Sequence, residues 1–184
     1  MPTVLVAVLD ADVLVPILTC DLLLSAFDHD LYQPVITSTI LDEVSRNLIA
    51  DFKHLDPAAV DRRVSQLAAA LALHTHAVSA GTEAVKSVNA KDRHVATVAL
   101  ATNADLVVTN DTKLRRQLEQ LDPPIAASTA DDFALQLFRS HSYQVRDVLD
   151  AMATKRRNPP ITVEDLVQKL SASFPRFAAE ISNS

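Results

Sequence analysis

The chain has 184 residues, 48% of them hydrophobic and 22% charged, a globular balance that excludes wholesale disorder. Aromatics make up only 4% and Trp is absent, so the core must be aliphatic; the single glycine, Gly81, excludes a glycine-rich phosphate cradle, a dinucleotide fingerprint and an α/β-hydrolase nucleophile elbow. The net charge is -6, and since seven acids and seven bases cancel in residues 130–184, the whole excess lies in residues 1–129, the bias of a cation-binding acidic pocket and not of a duplex-wrapping protein.

In chain order, Thr3–Leu9 is an apolar, β-branched run cut off by Asp10, the pattern of a strand buried on both faces. Pro16 suits the first turn of a helix whose spacing comes from Ile17, Leu18, Leu22, Leu23 and Phe27. After the polar Asp28–Asp30 loop, Gln33–Thr37 reads as a short strand. Thr39 and Asp42 form an acid-variant capping box that opens a helix over Ile40–Phe52. Asp56-Pro57 opens another helix, with Val60, Val64, Leu67 and Leu71 on one face.

His74–Val78 alternates weakly, as a short strand would, and Gly81–Asn89 is a connection without a periodic signal. Asp92–Thr102 is helical, Leu106–Thr109 is a buried strand ended by Asn110-Asp111, and Lys113–Leu121 is a basic amphipathic helix leading to a last strand, Ile125–Ala127. Strand–helix alternation of this kind predicts a three-layer α/β/α sandwich around a central parallel sheet. From Asp131 the strands stop. Thr129 with Asp132, and Thr162 with Asp165, cap helices in an all-helical C-terminal extension broken at Pro159-Pro160.

In an open parallel sheet ligands gather at the carboxyl ends of the strands. Asp10 follows the first strand, Glu43 lies early in the helix after the second, Asp92 opens the helix feeding the Leu106–Thr109 strand, and Asp111 follows that strand. These four carboxylates therefore converge on one rim, where they repel unless a divalent cation sits among them. Oxygen ligands favour Mg²⁺ or Mn²⁺. An acidic rim without a P-loop or histidine ligands points to metal-assisted phosphodiester hydrolysis.

The segments carrying Asp10-Ala-Asp12, Ile40–Arg46, Lys91–Leu100 and Ala104–Asp111 together resemble the PIN-domain ribonucleases, especially the VapC-type toxins. The resemblance covers about residues 3–128 and rests on four motifs in order. It implies a metal-dependent ribonuclease site made of Asp10, Glu43, Asp92 and Asp111, with Asp10, Asp92 and Asp111 on the metal and Thr109 beside the last acid. It also implies an RNA substrate, a co-expressed antitoxin whose basic side chain reaches the acids, and homodimers. The family usually has Asn two residues after the first Asp; Asp12 stands there, as a further ligand or as a helix start. On this reading residues 1–128 form the nuclease domain and 129–184 the helical extension, whose apolar faces cover the sheet edge or bury a partner.

Among the basic residues near these acids, Arg46 and Arg93 are candidates to hold substrate phosphates, along with Lys91, Lys113, Arg115 and Arg116. Arg46 lies three after Glu43 and has the alternative of pairing with it. His74, His76 and His94 read as packing or surface residues, and Cys20 as core. Two other functions compete: a haloacid-dehalogenase-type phosphatase, which shares the Asp-x-Asp opening but needs a glycine where Val13 stands, and a catalytically silent PIN-fold binding module. No stretch approaches the roughly 20 apolar residues of a spanning helix, and Met1–Val8 lacks a basic leader, so the expected address is the cytoplasm.

Overall fold

The computed structural model describes residues 4–51, 56–77 and 83–184. Thr3, Phe52, Val78 and Gly81, which figured in the expected elements, lie outside these residues. Five strands, β1 (Val6–Leu9), β2 (Gln33–Thr37), β3 (Thr75–His76), β4 (Leu106–Val108) and β5 (Ala127–Ser128), form one sheet in the order β3-β2-β1-β4-β5. Every pairing is parallel. Helices flank the sheet: α1 (Ala11–Leu14), α3 (Ser38–Asp51), α4 (Pro57–Ala70), α5 (Arg93–Ala101) and α6 (Thr112–Glu119). The fold is the α/β/α sandwich that the alternation implied. Its centre is aliphatic, with Ala7, Val8, Leu9, Ile36, Val107 and Val108 fully buried.

Chain direction in this sheet positions the site. The chain steps outward from β1 to β2 and β3, then returns to the other side of β1 for β4 and β5. The strand order reverses between β1 and β4, and the crevice beyond their carboxyl ends is where an open α/β sheet binds its ligand. In the same unit α5 packs on β1, β2 and β4, α3 on β2 and on α4, and α6 on β5.

The helical tail comprises α7 (Ala130–Ser140), α8 (Ser142–Lys155), α9 (Val163–Leu170) and α10 (Pro175–Ser182). Both expected caps form: Thr129 accepts from the Asp132 N–H at 3.0 Å, and Thr162 and Asp165 close a reciprocal capping box. The chain groups into two compact units, Met1–Val15 with Gln33–Ser128, and Pro16–Tyr32 with Thr129–Ser184. Helix α2 (Ile17–Asp28) thus belongs with the tail, although chain order puts it before residue 129. Its Leu22, Leu23 and Ala26 are buried, and it packs on α8. The tail's apolar faces are spent inside this second unit: Phe133 meets Tyr32 edge-to-face at 5.0 Å, Phe174 and Phe177 stand at 6.1 Å, and Leu166 and Leu170 are fully buried.

Some boundaries differ from the sequence expectation. Helix α3 begins at Ser38 and is capped by Thr37, whose hydroxyl accepts the Ile40 N–H at 3.1 Å, in place of the Thr39–Asp42 box. The last residue of β2 therefore also starts the helix, with no intervening loop. The final strand sits later than expected because the Ile125 N–H is still bonded to Leu118 O at 3.0 Å, closing off α6. The described part of the unassigned connection holds a 3-10 turn, Glu83–Val85, with Val85 and Val88 buried.

Candidate active site

In the β1–β4 pair Leu9 lies opposite Val108, and the Asp10 N–H continues the ladder to Val108 O at 3.1 Å. This register brings Asp10 beside Thr109, at the reversal point of the strand order. Thr109 is fully buried, and its single hydroxyl proton goes to Asp10 Oδ2 at 2.7 Å. The same hydroxyl oxygen accepts the Asp111 N–H at 3.1 Å, so one side chain ties together the first and last acidic segments. Asp12, in the first turn of α1, accepts the Asn110 N–H at 2.8 Å through Oδ2, which lies 3.3 Å from the Thr109 hydroxyl. Its other oxygen, Oδ1, is buried without a hydrogen bond.

An aspartate at a helix start has an ordinary use as a cap. Asp10 and Asp111 each serve that use with one oxygen and leave the other for the rim. Asp10 Oδ1 accepts the Ala11 N–H at 2.7 Å, while Oδ2 faces Thr109. Asp111 Oδ1 accepts from the Lys113 and Leu114 N–H groups at 2.7 and 3.0 Å, while Oδ2 faces Lys91. Asp92 departs from the capping pattern: it precedes α5 but its side chain makes no cap hydrogen bond, although the residue is only 8% exposed. A buried carboxylate that declines the helix N-terminus needs a different partner. In this structure that partner is Lys91, whose Nζ lies 3.5 Å from Asp92 Oδ1 and 4.0 Å from Asp111 Oδ2.

The charges act on one another. Burial pushes the Asp10 carboxyl up, and the nearby negative charge of Asp92 adds to this against the Thr109 and Ala11 hydrogen bonds. Burial, then the Asp10 charge, raises Asp12 to about 7. Glu43 is raised by burial and by the charges of Asp10 and Asp92, with His94 and Arg46 pulling the other way. Glu43 on α3 thus feels the charges of Asp10 and Asp92, though these residues are far apart in sequence. The Lys91 ammonium is held above its ordinary value chiefly by Asp92, as a cation in an acidic cluster must be.

Two residues play parts that sequence patterning did not indicate. Arg93, a candidate for substrate phosphates, instead turns its guanidinium to backbone carbonyls, donating to Val88 O at 3.0 Å and Lys86 O at 2.9 Å. It holds the connection that carries Lys91 and Asp92. His94, read as a packing residue, places Nε2 3.5 Å from Glu43 Oε2. A histidine in the first turn of a helix gives no sign in the sequence of which way its ring turns; the rotamer decides that. Asp105 lies elsewhere: its Oδ2 accepts the Val6 N–H at 2.7 Å, at the opposite ends of β1 and β4.

The donor set suits a hard divalent cation: oxygen ligands, two of them on largely buried aspartates, mutually repelling, and an orphaned Asp12 oxygen. As placed, no three described His, Cys, Asp or Glu side chains converge on one point closely enough to hold an ion. The positive charge between Asp92 and Asp111 is the chain's own Lys91. Among the described residues no helix is long and apolar enough to cross a membrane.

Comparison with known families agrees with this architecture. Residues 6–113 match the model of the PIN domain, and residues 130–183 match the model of the VapC50 C-terminal domain. No curated protein and no solved structure matches the chain. A match over more than half of the chain, on the sheet that carries the acidic rim, together with a matched helical tail, establishes that this chain belongs to the PIN-domain family, as a VapC-type protein with a helical C-terminal extension.

Proposed function

We propose that this protein is a divalent-metal-dependent endoribonuclease, the toxin of a toxin–antitoxin pair, acting in the cytoplasm on RNA phosphodiester bonds. What supports the reading is that one Thr109 hydroxyl bonds both Asp10 Oδ2 and the Asp111 N–H beyond the carboxyl ends of β1 and β4, that Lys91 Nζ lies 3.5 Å from Asp92 and 4.0 Å from Asp111, and that Glu43 is raised by the charges of Asp10 and Asp92. Asp10, Asp92 and Asp111 would hold Mg²⁺ or Mn²⁺, with Glu43 completing the site and Asp12 adding an oxygen. The ion would supply charge that offsets the carboxylates and a Lewis acid that polarises a phosphoryl oxygen and acidifies water.

The chain's own residues prepare that chemistry. Thr109 fixes Asp10 through a bond of 2.7 Å, so the Asp10 carboxylate keeps one direction. The Asp111 oxygen bonded to the Lys113 and Leu114 N–H groups fixes the other oxygen in the same way. Lys91 offsets part of the charge of Asp92 and Asp111, a part that a bound divalent cation would take over. Arg46, Lys113, Arg115 and Arg116 are left to meet substrate phosphates, whereas Arg93 is committed to the backbone. An acidic rim on a chain of net charge -6 also suits an antitoxin peptide bearing Arg or Lys, which charge steers toward it. Homodimers, common among VapC-type proteins, belong to the same proposal.

The test is incubation of purified protein with structured RNA and, separately, with para-nitrophenyl phosphate, each with Mg²⁺, Mn²⁺ or EDTA. Cleavage of RNA in the metal arms alone supports the proposal. Turnover of the phosphate ester without RNA cleavage would replace it with a phosphatase, and inertness toward both would leave a binding module.

A further inference from the structure

His94 stands in the first turn of α5 with its side chain 15% exposed, and its Nε2 is buried without a hydrogen bond. A buried ring nitrogen left unpaired is costly, and such groups persist in native proteins for a reason. The acceptor it faces is Glu43 Oε2 at 3.5 Å. At that distance the pair is not yet a hydrogen bond; a small turn of the carboxylate makes it one. Contacts of this kind are commonly long in unliganded sites and tighten when the site is loaded.

Glu43 is the member of the acidic group that most needs such help. Asp10 is held by Thr109 and Ala11, and Asp111 by two backbone N–H groups. Among the described residues no hydrogen bond ends on the Glu43 carboxylate, whose longer side chain projects from α3 with more rotamer freedom than an aspartate. We infer that His94 is a positioning residue: its Nε2–H aims the Glu43 carboxylate into the acidic rim, so that α5 delivers both Asp92 and the orientation of Glu43. This rests on the reading of the rim as a cation site. Outer partners that orient ligands in this way typically change metal affinity by about 10–100-fold.

The experiment measures Mn²⁺ binding by isothermal titration calorimetry for the wild type, His94→Ala and His94→Gln, with circular dichroism and melting curves for each. The glutamine amide reaches near the Nε2 position and carries no titratable proton. Ala should weaken Mn²⁺ binding by about tenfold or more, with Gln restoring it to within a few-fold of wild type. Unchanged binding in a folded His94→Ala protein, or a Gln variant as weak as Ala, would overturn the inference. Should the Ala variant fail to fold, His94→Asn, whose amide reaches only the Nδ1 position, takes its place in the comparison with Gln and the same loss is expected. Wild-type protein that takes up no Mn²⁺ would overturn the cation reading and this inference with it; wild-type binding with no effect of His94 overturns the inference alone.

Discussion

Asp12 occupies the position where the family usually carries Asn, and the structure shows what the extra charge costs. One oxygen accepts the Asn110 N–H at 2.8 Å, the other is buried without a partner, and burial together with the Asp10 charge raises the carboxyl from its ordinary 3.8 to about 7. The unfolded chain gives up this proton near pH 4, whereas the folded metal-free protein keeps it to about pH 7. Between those values the folded state binds more protons than the unfolded one, so stability falls as pH rises through the window and then levels off. The interval corresponds to a ceiling of about 4 kcal/mol above pH 7. An asparagine side chain in place of this carboxylate would keep the oxygen that meets Asn110 and lose the repulsion with Asp10, but its amide still has to be desolvated. We therefore expect Asp12→Asn to stabilise the metal-free protein by about 1–3 kcal/mol at pH 8. That is a rise in melting temperature of about 3–8 °C for a chain of this size. Melts followed by circular dichroism in EDTA at pH 4, 6 and 8 test this: the gain should be largest at pH 8 and vanish near pH 4. An equal change at all three pH values, or a lower melting temperature at pH 8, would mean that the Asp12 charge does not destabilise the fold.

Lys91→Met removes the built-in counter-charge between Asp92 and Asp111; calorimetry should show Mn²⁺ binding more tightly than in the wild type, and weaker binding would mean that Lys91 assists the cation instead of preceding it. Asp105→Ala breaks the tie between β4 and β1 and should cost about 1 kcal/mol in urea unfolding while RNA cleavage per folded molecule is unchanged; a loss of cleavage with the fold intact would give Asp105 a part in the site. Deleting residues 130–184 strips α2 of α8 and uncovers Leu22, Leu23 and Ala26, so size-exclusion chromatography should find aggregate; a soluble monomeric remnant would mean that α2 does not depend on the tail.

The sheet was legible because its strands are short, β-branched and cut off by polar residues: Gln33–Thr37 is β2 to the residue, and the apolar runs ending at Leu9 and near Thr109 are β1 and β4. Parallel pairing then dictated that the residues following those strands share a rim, which is how Asp10 and Asp111 could be placed from spacing alone. Helix ends were less legible, since Thr37 and Thr39 are both suitable caps and only the three-dimensional turn from β2 selects the first. The membership of α2 in the second compact unit was not legible at all, because its partner α8 lies more than a hundred residues further on and local periodicity carries no address. In the candidate site, side chains whose place follows from position on a strand or cap were legible. Those whose role follows from direction were not: Arg93 turning back to Lys86 and Val88, and His94 turning toward Glu43, depend on rotamers that the sequence leaves open.

If the acidic rim beyond β1 and β4 hydrolyses RNA with a divalent cation, Asp10, held between Thr109 and the first turn of α1, is its pivot. The direct measurement is cleavage of structured RNA by the wild type and by Asp10→Asn at matched concentration in Mg²⁺ or Mn²⁺, with circular dichroism spectra of both. Fragments are expected from the wild type, none when EDTA is added, and none from the variant although its spectrum is preserved. Undiminished cleavage by Asp10→Asn would overturn the assignment of Asp10 to the reaction.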